Sequence, residues 1–202
     1  MSSEPIIPWY QHVAPGDATL RQGDILFGFD CLVPTPYILP KVAEEPALAV
    51  VSQDVLILTA SCDLDLANPK KKIDFVLLCP HWDWKTSSES ADSGIKPNDK
   101  GLIESGRMPR YCLLANSELQ DCPMGLRVVD FNRLFQVPRN VVDEHVSALK
   151  APRLRMNSPY REHLAQSFAT CFARVALPLR ATQAIPPAPS VAPGAPSSPA
   201  AR

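Results

Sequence analysis

The chain has 202 residues, enough for one domain with a sizeable core. Twenty Lys and Arg residues nearly cancel 21 Asp and Glu, so the formal net charge is -1 and no global positive field collects nucleic acid; any such binding is local. No apolar run approaches the roughly 20 residues that cross a bilayer, and the opening MSSEPIIPWYQHVAPGD lacks the basic and apolar regions of a secretory signal. A cytoplasmic location without membrane partners is therefore expected.

Residues 1–18 are interrupted by proline, and Ile6, Ile7, Trp9 and Tyr10 are expected to form an extended arm over a single domain spanning 19–180. In RQGDILFGFD a Gly-Asp pair stands directly before an apolar run. Gly23 suits a tight turn, and the Asp24 carboxylate either binds backbone N–H groups where the strand begins or presents its charge at a barrel mouth. Strand patterns cover 24–33, 48–61 and 73–82, with two further candidates at 110–116 and 126–137. Between them, 85–109 is rich in Ser, Asp, Lys and Gly and reads as a long surface loop.

Helix is expected late in the chain. Over 140–150, Val141, Val142, His145, Val146 and Leu149 share one face. A second helix follows, with Ser158 as N-cap, Pro159 at its first position and Pro178 as its stop. Tyr160, Leu164, Phe168, Cys171, Phe172 and Val175 form a stripe along it that should dock on the sheet. Residues 181–202 are dominated by Pro, Ala and Ser and are expected to be disordered, with PxxP spacing at Pro186 and Pro189. The pattern as a whole predicts a mainly β (α+β) domain: a small, partly open barrel of about five to seven strands with two C-terminal helices packed on it.

Cysteines at 31, 62, 79, 112, 122 and 171 are expected to be reduced thiols, because a chain of this length does not depend on disulfides. No CxxC pair occurs, and the histidines at 12, 81, 145 and 163 lack ligand spacing, so neither a metal nor a cofactor is expected. Asp63 and Asp65 offer oxygen donors but no third ligand at a fixed spacing.

Cys62 and Asp63, in LTASCDLD, follow the most strand-like run. Cys62 is either a small core residue or a nucleophile, and its carboxylate neighbours oppose a thiolate by like charge. If the site is functional, Asp63 is expected to matter more than the sulfur. In HWDWK, alternation would place Trp82 and Trp84 on one strand face, suited to stacking on bases or to a half-buried edge. Arg153, Arg155, Arg161 and His163, with Arg174 further on, form the best local basic patch, either solvated or facing an acidic partner or a phosphate.

The stretches RQGDIL, LTASCDLD and RLRMNSPYREHLAQSFATCFARVALP resemble landmarks of a family of uncharacterised bacterial proteins, over about residues 20–178. That resemblance implies a bacterial setting, with a defence or toxin-antitoxin cassette as its context, and transfers no activity. RQGDILFGFD followed by LAVVSQD is also similar to the MazF/Kid-type mRNA-interferase toxins, which implies an SH3-like barrel. Those toxins cut single-stranded RNA with an arginine beside the second motif; here Glu44, Glu45 and Pro46 stand there, while Thr59 or Ser61 matches the hydroxyl residue. Two functions follow as expectations. The first is an interaction module for a protein or single-stranded nucleic acid, with Trp82, Trp84, Arg153, Arg155, Arg161 and His163 as binding candidates. The alternative is a nuclease-like hydrolase with Asp24, Cys62 and Asp63 at the barrel mouth.

Overall fold

Strands β2 (Asp24–Pro34), β3 (Leu48–Ile57) and β4 (Phe75–Asp83) form where the sequence pattern places them and make the antiparallel centre of the sheet. The computed structural model describes residues 7–34, 48–65, 67, 73–91 and 93–173. The predicted tail at 181–202, the PxxP pair, Ile6, Arg174, Val175 and Pro178 lie outside these residues.

Around that centre stand β1 (Tyr10–Val13), β5 (Tyr111–Leu114), β6 (Arg127–Asp130), β7 (Phe135–Pro138) and β8 (Arg153–Met156). The order is β1-β8-β2-β3-β4-β6-β5, with β7 paired to β4 off this path, eight strands among the described residues. The expected barrel is not observed: the sheet is open, its path ending at β1 and β5. The protein is a mixed α+β fold built on one mainly antiparallel sheet.

Both faces of the sheet's centre are covered, which accounts for the openness, while Leu32, Val50 and Phe75 toward the strand ends stay exposed. Ile25, Leu56, Cys79 and Leu154 point to one face, where Phe131 and helix α5 (Tyr160–Ala173) pack on them through Leu164 and Phe168. Leu26, Val55, Ile57 and Leu78 point to the other, against Val142 and Val146 of α4 (Arg139–Ala148). Each fully buried aliphatic side chain contributes roughly 1.5–3 kcal/mol. A sheet sandwiched between helices has no need to curl on itself to hide an apolar face.

Three segments depart from the sequence pattern. Tyr10–Val13, expected within an arm, pairs with β8 in register Tyr10 opposite Met156. Arg153–Met156, read as a charged approach to the last helix, is instead a fully buried strand between β1 and β2. The expected loop at 85–109 contains helices α2 (Trp84–Glu89) and α3 (Lys100–Glu104), anchored by Ile95 and Ile103 against Tyr111 and Val128. The pattern 126–137 divides into β6, a 3-10 turn at Phe131–Arg133, and β7. No helix among the described residues is long and apolar enough to cross a membrane.

Candidate functional site

The three sequence landmarks meet at one place. Gln22 N–H donates to Ser61 Oγ at 3.1 Å and Gln22 Nε2 to Leu58 O at 2.8 Å, while Gly23 N–H donates to Ile57 O at 2.9 Å. Gly23 turns with φ +85°, and a Cβ added there would lie 2.9 Å from Met156 Cβ, so only glycine fits. Asp24 is wholly buried: Arg155 Nε donates to Oδ1 at 2.5 Å, Arg155 Nη2 and Arg153 Nε to Oδ2 at 2.8 and 3.2 Å, and Arg21 N–H to Oδ2 at 3.2 Å. Asp24 therefore stands beneath two guanidinium groups rather than at a barrel mouth. Arg153 and Arg155, expected in a surface patch, are buried with it, because two interior cations need this carboxylate and the carbonyls of Asp17 and Thr19.

This network fixes residues 17–21, of which Ala18, Thr19, Leu20 and Arg21 line a cleft of about 510 Å³. Ser61, Cys62 and Leu64 of helix α1 (Ser61–Leu64), with Asp65 and Arg139, complete its lining. Cys62 is exposed there; its thiol lies 3.5 Å from Asp63 Oδ1. Asp65 Oδ1 accepts from Ala67 N–H at 2.9 Å, closing its own turn. Burial pushes the thiols of Cys79, Cys112, Cys122 and Cys171 upward, that of Cys112 to about 11.

A second site lies past the opposite end of β7. Register places Trp82 opposite Val128 and Asp130 opposite Tyr111, so these side chains share a sheet face and floor a cleft of about 270 Å³. Asp83 caps α2, accepting from Thr86 N–H at 2.9 Å, and so brings Thr86 and Ser87 to the rim. Asp130, 4% exposed, holds two arginines: Arg110 donates bidentately at 2.8 and 2.6 Å, and Arg133 Nε lies 3.5 Å away. Each guanidinium lies over a ring, Arg110 at 4.9 Å from the Tyr111 centroid and Arg133 at 5.2 Å from that of Trp82. The hydrogen bonds to Asp130 raise the Arg110 pKa above its ordinary value, and burial raises that of Tyr111.

Of the other candidates, Trp84 begins α2 and packs in the Ile95 and Ile103 cluster, so strand alternation stops before it. Arg161 pairs with Glu162 at 2.6 Å, and His163 is exposed on α5. The binding candidates are thus divided among separate places. Sequence reasoning missed Arg110, Tyr111, Asp130 and Arg133. The signal available was the adjacent Arg-Tyr of RYCLLAN and the Asp-x-x-Arg spacing of VDFNR, each a local hint whose meeting is set only by the pairing of β5 with β6. No protein-family model matches the chain, and a search of curated proteins finds no relative.

Proposed function

We propose that the chain is a binding module for single-stranded nucleic acid, in which an unstacked base enters the cleft beside Trp82. The observation that carries this reading is the pair of arginine-aromatic stacks tethered to the single buried carboxylate of Asp130. Flat aromatic and guanidinium planes are the surfaces on which unpaired bases stack, and the hydroxyls of Thr86, Ser87 and Ser93 suit polar base edges. Two arginines against one carboxylate, Arg133 on the cleft lining and Arg110 beside it, leave positive charge for a neighbouring phosphate. A pocket of about 270 Å³ suits one flat ring rather than a larger folded ligand.

A bacterial setting with a defence or toxin-antitoxin context belongs to this proposal through the sequence resemblance, and a cytoplasmic location is part of the same proposal. Binding is favoured over hydrolysis because both Asp24 oxygens are occupied by buried donors, which leaves no free carboxylate beside Cys62 from that residue. The test is fluorescence anisotropy with a labelled single strand of about 12 nucleotides, competed by unlabelled single strand or by duplex of the same sequence. Single strand is expected to compete at least about tenfold better, with a shallow salt dependence from few phosphate contacts. Equal competition by duplex contradicts the reading.

A further inference from the structure

Arg139 opens α4 behind Pro138, and its backbone N–H donates to Asp74 O at 2.9 Å. Its side chain is 8% exposed, and Nε reaches Asp143 Oδ2 at 3.4 Å. Nη1 is buried and has no hydrogen-bond partner among the described residues. A buried guanidinium N–H without an acceptor is uncommon and costly, and the group lines the 510 Å³ cleft that also holds Cys62.

We infer that this cleft is an oxyanion site that takes a phosphate group, with Arg139 as the buried donor and Arg21 as the exposed cation at its rim. Asp143 balances only part of the positive charge, and Asp65 is turned toward its own backbone by its bond from Ala67. Two guanidinium groups match a dianion, and arginine forks present N–H pairs at the spacing of phosphate oxygens. The wall carrying Arg21 is held by the carbonyl bonds from Arg153 and Arg155, so the cleft is preorganised before any ligand arrives. This site lies past the other end of β7 from the Trp82 cleft and stands without it.

Cys62 supplies a reporter, being the one cysteine of the six that is exposed. The experiment follows its alkylation by peptide mass spectrometry, using anionic iodoacetate and neutral iodoacetamide at constant ionic strength. The ratio of the two rates, normalised to urea-unfolded protein, is expected to fall at least about fivefold in Arg139→Gln and to a smaller extent in Arg21→Gln, whose exposed site leaves folding intact. Inorganic phosphate should slow alkylation of the wild type and fail to do so in Arg139→Gln. A 5′-phosphorylated oligonucleotide, compared with its unphosphorylated counterpart, separates the sources of the group: protection by inorganic phosphate assigns a free phosphate compound, and protection by the phosphorylated strand alone assigns a strand end. No protection by either, or protection and rate ratios unchanged in both variants, overturns the inference.

Discussion

His81 carries both ring nitrogens into the sheet, 1% exposed, with no hydrogen-bond partner for either among the described residues. Burial, aided by the nearby charge of Arg127, pushes its pKa down to about 3. An unfolded imidazole titrates near 6.5, so at pH 7 both states hold it neutral. Below 6.5 the unfolded chain takes up a proton that the folded chain refuses, and stability falls by up to about 1.4 kcal/mol per pH unit until about pH 3. Urea unfolding at pH 7 and pH 4.5 should therefore show the wild type losing about 2–3 kcal/mol more than His81→Leu. An equal loss in the variant would remove His81 from the acid response. At this scale the sequence was partly readable: Trp82 stands out as a paired indole in HWDWK, whereas His81 carries no local sign that its partners are missing.

Among the elements, β8 is the most informative. Its RLRM sequence reads as solvated because two of its four residues are arginines, yet Leu154 and Met156 face the core while Arg153 and Arg155 close on Asp24. That carboxylate lies 129 residues from Arg153 in the chain, beyond the reach of any local pattern. Asp24→Ala would leave two guanidinium groups buried without their counter-ion, and a loss on the order of 3–5 kcal/mol is expected in denaturant unfolding. A change below about 1 kcal/mol would show that the network is not holding the 17–21 wall. By contrast β2, β3, β4 and the two late helices were legible, because apolar periodicity marks the faces they bury, although Val141 and Phe172, read into those faces, are exposed. Helices α2 and α3 were not, since they bury few side chains and depend on a cap at Asp83 and on contacts from β5 and β6.

At the level of the whole molecule, a single open sheet is covered by α5 on one face and α4 on the other, and β7 separates two clefts of different character. The aromatic cleft begins beside Arg133, just before β7, and the thiol-bearing cleft includes Arg139, just after it. Sequence patterning yielded the mainly β character and the late helices but suggested a partly open barrel in place of an open sheet, because strand periodicity reveals that faces are buried without revealing what buries them. The candidate sites were legible only as isolated residues, since each is assembled by strand pairing across the chain. The most direct test of base binding is the affinity of a labelled single-stranded oligonucleotide for the wild type and for Trp82→Ala, with thermal unfolding confirming that both are folded. Loss of a stacking partner should weaken binding about tenfold or more, and an unchanged affinity would contradict the assignment of the Trp82 cleft to nucleic acid.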